Sequence, residues 1–178
     1  YDKYYVVGAT IAAMPIGIYI HGGDSGITIS GNHVHTMGND NGTLGSMDMN
    51  AHGIAAYGDS PARSISTLTI DGNEVDHLRL GASEAVVVNG NVDGWAITGN
   101  RIHDDDNIGI DAIGYEPTLP DAYRYTDLNR ARNGVSRGNV VENIISGGNT
   151  AEWWPSRWGT CDGSFETTAD AARLLCVM

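Results

Sequence analysis

An all-β fold of stacked parallel coils is predicted by three observations. A phrase built on Gly-Asn recurs four times: ITISGNHVH (27–35), LTIDGNEVDH (68–77), WAITGNRIH (95–103) and GVSRGNVVEN (134–143). A second phrase precedes each copy: GIYIHGG (17–23), GIAAYGD (53–59), AVVVNGN (85–91) and GIDAIGY (109–115). Within these phrases apolar residues alternate with others, the period-two pattern of a strand with one buried face, and Gly-Asn, Gly-Gly and Gly-Asp pairs mark the turns between them.

Taken in order, YYVVGATI (4–11) reads as part of a first coil, and each later unit reads as strand, turn, strand, turn, strand. Inward positions are Ile18 and Ile20, Ile54 and Ala56, Val86 and Val88, and Ile110 and Ala112. No unit buries its apolar face alone, so stacked units must share one core. A coil of about 25 residues without intervening helices favours a right-handed parallel β-helix of about four to five coils. An antiparallel sandwich also has short strands and regular turns, but it lacks the repeated phrase. The longer spacings become loops at 36–52 and 116–133, and long loops in compact folds commonly carry function.

The β-helix domain is placed at 1–150, and the repeat stops near Gly147, as it would in a segment of a longer protein. Residues 151–178, starting AEWWPSRW, leave the repeat and read as a cap over the open coil end; TTADAARLLCVM is able to form a short helix starting near Thr167 or Thr168. Open ends expose unpaired strand edges, so capping or end-to-end homo-oligomerisation is expected. Cys161 and Cys176 form one bridge or stay free, and two cysteines do not decide the redox compartment.

Twenty-two acidic residues against 10 basic ones give a formal net charge of -12. Phosphate backbones need a positive face, so nucleic acid is excluded as an expected partner, and strongly anionic glycans are disfavoured without a bridging cation. No apolar run is long enough to cross a bilayer and no basic-then-apolar leader stands at the N-terminus, so no membrane association is expected. The chain has no nucleophile elbow, P-loop, dinucleotide fingerprint or Cys-x-x-Cys.

The phrases above, with WAITGNRIHDDDNIGID and ARNGVSRGNVVENI, resemble the right-handed parallel β-helix repeats of the pectate-lyase-like superfamily over about residues 4 to 146. The resemblance implies a secreted protein, extracellular or periplasmic. Most members are polysaccharide lyases or glycoside hydrolases, and some are binding or structural proteins. Lyases of this kind use Lys or Arg as base and often calcium. Lys3, the only lysine, sits at the extreme N-terminus, which leaves Arg79 and Arg101 as bases. DDDNIGID is a poor calcium-loop match because Ile108 stands where such loops place a ligand. Polygalacturonase-type hydrolases carry an aspartate pair and Gly-His-Gly, to which AHG (51–53) and HGG (21–23) are partial matches.

In a parallel stack, equivalent residues lie about 4.8 Å apart, so alignment predicts columns. Asn32, Asn73, Asn100 and Asn139, spaced 41, 27 and 39 apart, are expected to form an internal amide ladder. His35, Asp76, His103 and Glu142 form a second column, which reads as a hydrogen-bonded surface ladder because a straight column does not converge on a metal; no metal site is assigned. Glu74 and Arg101 beside it form an exposed pair.

A third strip is better placed for chemistry. Tyr19, His21, Tyr57 and Asn89 point outward and suit an extended poly- or oligosaccharide, since sugar rings stack on tyrosine and hydrogen-bond to polar groups. A glycoside hydrolase needs two carboxyl groups about 5 to 9.5 Å apart. Glu84 with Asp105 or Asp106 is the candidate pair, Asp111 a third member, and His52 the group that tunes one of them. The expected activity is therefore hydrolysis of a neutral or weakly charged glycan, with no cofactor required. A calcium-dependent polysaccharide lyase and a noncatalytic glycan-binding or structural module are the alternatives.

Overall fold

A computed structural model describes residues 14–38, 50–81 and 83–144, together with the backbone of 165–167 and 174–176. Among the described residues, twelve strands stack as four coils in three parallel sheets, and two more strands close one end. In chain order the first three coils are β1 (Ile16–His21), β2 (Thr28–Ser30), β3 (His33–His35); β4 (His52–Gly58), β5 (Ile65–Asp71), β6 (Glu74–Asp76); and β7 (Glu84–Gly90), β8 (Val92–Thr98), β9 (Arg101–His103). The fourth is β10 (Ile108–Ile113), β11 (Gly134–Arg137) and β12 (Val140–Glu142). The first sheet is β1-β4-β7-β10, the second β2-β5-β8-β11, and the third β3-β6-β9-β12.

Register follows the repeat. Ile18, Ile54, Val86 and Ile110 stack in the first sheet, Ile29, Ile70 and Ile97 in the second, and Val34, Val75, Ile102 and Val141 in the third. These aliphatic columns meet in one core in which Ile54, Ile70, Val75, Val86, Ile97, Ile102 and Ile110 are fully buried. Each contributes roughly 1.5–3 kcal/mol of burial. Small residues stand where the first sheet crosses the third: a Cβ on Gly53 would lie 2.7 Å from Val75 and one on Gly109 2.5 Å from Val141, which explains the glycine in the GI phrase.

The Gly-Asn phrase has two physical jobs. Gly31, Gly72, Gly99 and Gly138 all take φ between +60° and +65°, the left-handed turn that leads into the third sheet. The asparagine that follows points inward. Asn32 Nδ2, Asn73 Nδ2 and Asn100 Nδ2 each donate to the Oδ1 of the next asparagine at 2.9 Å, which forms the expected ladder.

The C-terminal segment departs from the expected helix. Phe165–Thr167 is a strand (β13) antiparallel to β11, and Leu174–Cys176 is a strand (β14) antiparallel to β10. The exposed edges of β10 and β11 offer unpaired backbone groups, and strand pairing satisfies them where a helix would not. Residues 168–173 of the expected helix, Cys161, Lys3 and the segment 4–11 lie outside the described residues. No described helix is long and apolar enough to cross a membrane.

Candidate functional site

The outer face of the first sheet carries three columns. Ile16, His52, Glu84 and Ile108 share one register position, Tyr19, Ala55, Val87 and Asp111 the next, and His21, Tyr57, Asn89 and Ile113 the third. Seven of the nine site candidates, all but Asp105 and Asp106, lie along this face. The exposure of that face is not what the sequence suggests. Ala55, Val87 and Ile113 form a second apolar cluster against Ile16 and Tyr57, and Asn89 and Asp111 are 0% exposed.

One cover accounts for part of this. Loop 116–133 folds back over β7, with single turns of 3-10 helix at Asp121–Tyr123 and Asp127–Asn129. Asn89 Nδ2 donates to Glu116 Oε2 at 2.9 Å, and Thr118 donates to Asn89 Oδ1 at 3.1 Å. Buried Asn129 anchors the loop by donating to Glu116 O and Arg124 O. Asp111, expected on an open polar strip, is buried on a strand flanked by β7 and β14, opposite Val87 and Leu175. The parity that turns Asp111 outward is local, whereas its covering is tertiary.

Beneath the open part lies a chain of hydrogen bonds. His52, 1% exposed, has Nδ1 at 3.0 Å from the Glu84 carbonyl oxygen and 3.4 Å from Glu84 Oε2, and Nε2 at 3.0 Å from the Tyr57 hydroxyl. The ring is neutral, because burial lowers its pKa to about 4 despite the bond to Glu84. With Nδ1 protonated toward the carbonyl, Nε2 accepts from the Tyr57 hydroxyl. Burial first, and then the Glu84 and Glu116 carboxylates, hold that phenol above its usual range. His52 thus links the Tyr57 hydroxyl to the Glu84 backbone.

The accessible groups are aromatic. Tyr19 is 48% exposed and stacks on His21 at 5.2 Å and 20°, with Tyr57 edge-on at 6.0 Å. His21 Nδ1 lies 3.6 Å from Asp59. Immediately after β1 the chain enters a cleft of about 380 Å³ lined by Asp24, Ser25, Arg63, Ser64, Ser66 and Asp93. Gly23 makes it possible, since a Cβ there would meet Arg63 O at 2.3 Å. Arg132 braces one side by donating to Asn91 Oδ1 and Ser64 Oγ and pairing with Asp93. Sequence reasoning missed Glu116, Asp59 and this cleft; the length of loop 116–133 was the only sign of Glu116.

Asp105 and Asp106 have a different setting from the one the hydrolase pairing requires. Asp105 Oδ1 accepts from Leu78 N at 2.7 Å and Asp106 Oδ1 from Leu80 N at 2.5 Å, so both pin the turn between β6 and β7 in the preceding coil. Burial pushes Asp105 up to about 9 and Asp106 to about 6, against the pull of those amide bonds. Asp105 is a protonated structural group at neutral pH. Asp104 instead bonds His103 and Asn143 on the outer side. Arg101 is held between Glu142 and Glu74; the bond to Glu142 chiefly raises its pKa, which makes it a poor base.

No family model and no solved structure matches the chain. Over 106 residues, 60% of its length, the chain is 44% identical to uncharacterized protein YwoF of Bacillus subtilis strain 168. The matched region spans 21% of that relative.

Proposed function

We propose that this is a carbohydrate-active β-helix of the pectate-lyase-like kind whose outer first sheet and adjoining cleft bind an extended neutral or weakly charged glycan. The observation that carries this reading is the exposed Tyr19–His21 stack leading directly into a cleft of serine, aspartate and arginine side chains. An aromatic face with convergent hydrogen-bonding groups is the usual chemistry of a sugar site. The formal charge of -12 favours neutral over anionic chains.

Binding is favoured over cleavage because Asp105 and Asp106 are engaged with turn amides and Asp111 is fully buried. Hydrolysis remains a second reading on one observation: Glu84 lies beside His52 at the floor of the aromatic face. Affinity electrophoresis and calorimetry against neutral and uronate glycans, with product mass measured with and without chelator, separate the readings. A neutral glycan should bind saturably, and Tyr19→Ala should weaken it by a factor of a few to about ten, the worth of one aromatic contact. Released saturated oligosaccharide lost in Glu84→Gln would establish hydrolysis instead. An unsaturated, chelator-sensitive product would establish a calcium-dependent lyase. Failure of every glycan to bind, or a Tyr19→Ala variant equal to the parent chain, would refute the sugar site.

A further inference from the structure

The outer face of the third sheet, on a different side of the coil, carries two neighbouring columns: His33, Glu74, Arg101 and Val140, then His35, Asp76, His103 and Glu142. Neither column converges by itself, as expected from a straight stack. The side chains instead reach diagonally from one column to the other. His33 Nε2 lies 2.5 Å from Asp76 Oδ2, His103 Nε2 lies 3.0 Å from Glu74 Oε1, and His103 Nε2 lies 4.0 Å from Asp76 Oδ2. Ligand atoms of His33, Glu74 and Asp76 all fall within 4.8 Å of one another.

We propose that His33 Nε2, Glu74 Oε1, Asp76 Oδ2 and His103 Nε2 form a binding site for a zinc-type divalent transition-metal ion that ties three successive coils together. Tetrahedral zinc with bonds of about 2.0–2.2 Å to nitrogen and carboxylate oxygen holds its ligand atoms roughly 3.3–3.6 Å apart. Three of the ligand separations, 2.5, 3.0 and 4.0 Å, straddle that spacing; His33, Glu74 and Asp76 gather within 4.8 Å, and His103, outside that trio, reaches it through Glu74 and Asp76 and must rotate inward to complete the set. Two imidazoles with two carboxylates select a late first-row ion over calcium or magnesium, which want six or more oxygens.

The groups behind the ligands are arranged as metal sites require. Asp104 Oδ2 sits 2.6 Å from His103 Nδ1, which leaves Nε2 to face Glu74, and Asn143 Nδ2 donates to Asp104 Oδ1. His77 Nδ1 bonds Asp76 Oδ1, which turns Oδ2 toward His33. Carboxylate–histidine support of this type fixes ring orientation and raises ligand basicity. Asp76 and His103 are buried while His33 is exposed, so the site has a rigid floor and an open side. Arg101 also bonds Glu74 Oε1, and on metal binding it retains Glu142.

The test is titration of the untagged, chelator-treated full chain with Co²⁺, read by its visible absorption, followed by Zn²⁺. A single ion per chain should give the intense d–d bands of tetrahedral Co²⁺, displaced by Zn²⁺ and unaffected by excess Ca²⁺ or Mg²⁺. Asp76→Asn and His33→Gln should each lower affinity by tenfold or more. Asp104→Asn, behind His103, should lower it about 10- to 100-fold without changing stoichiometry. His35→Gln, stacked on His33 at 4.3 Å but outside the ligand set, should bind as the parent chain does. Circular dichroism establishes that each variant folds. Octahedral or absent Co²⁺ absorption, or folded Asp76→Asn and His33→Gln variants that bind like the parent, would overturn the proposal.

Discussion

Replacing Asn100 by alanine removes the centre of the amide ladder. Asn100 Oδ1 accepts from both Asn73 N and Asn73 Nδ2 at 2.9 Å, and its Nδ2 donates to Ile70 O at 3.0 Å and to Asn139 Oδ1 at 2.9 Å. Asn73 is 2% exposed, so after truncation its backbone N–H and one amide hydrogen face an apolar void without water. Each buried donor left unpaired costs about 1–3 kcal/mol, which sums to about 2–6 kcal/mol against a domain stability of roughly 5–15. Asn32 ends the same ladder and is exposed; its side chain donates to Ser30 O at 3.1 Å and Asn73 Oδ1 at 2.9 Å. Water can replace both bonds, so Asn32→Ala should cost under about 1 kcal/mol. Urea unfolding followed by circular dichroism measures both, with equal slopes required for the comparison. Equal losses in the two variants, or a loss below about 1 kcal/mol in Asn100→Ala, would refute the ladder as a buried stabilising element.

Two glycines should respond for different reasons. A Cβ at Gly134 would stand 2.0 Å from the ring of buried Trp95, so Gly134→Ala should cost about 1–3 kcal/mol or more through overpacking. Gly72 has open space around it but φ +61°, so Gly72→Ala should cost about 1–2 kcal/mol from backbone strain alone; thermal unfolding ranks the pair, and Gly72→Ala proving the more damaging would contradict this. His52 should set an acid limit. Its folded pKa of about 4 lies below its usual 6.5, so the unfolded chain binds the proton first, and stability present above about pH 6.5 is lost as pH falls toward 4. The slope reaches about 1.4 kcal/mol per pH unit, and His52→Gln should flatten it in denaturation at pH 7 and 4.5; an unchanged slope would show that the ring is not held neutral.

Much of the fold was legible because its signals are local and repeated. Asn32, Asn73, Asn100 and Asn139 hold the same place in each copy of the phrase, and that register is kept in the ladder. A parallel stack admits few ways to align four copies without exposing Ile70 or Ile102. The second left-handed turn of each coil was not legible. Thr36, His77, Asp104 and Asn143 occupy equivalent positions with φ between +51° and +55°, yet none is glycine and their side chains share no pattern. His, Asp and Asn tolerate that conformation better than most residues, which is a weak signal in any single copy.

The candidate site divides along the same line. Sequence alone determined that Tyr19, His21, Tyr57, Asn89 and Asp111 share a face, because side-chain parity in a strand is a property of two successive residues; His52 and Glu84, two positions before inward Ile54 and Val86, reach that face through a break in the alternation. Only the tertiary structure decided which of them meet solvent or one another. Loop 116–133 returns from beyond β10 to close over Asn89, Asp105 and Asp106 turn back to amides 27 and 26 residues earlier, and His33 reaches diagonally to Asp76. Those contacts depend on loop paths and rotamers set by distant packing, and neither leaves a periodic trace in the chain.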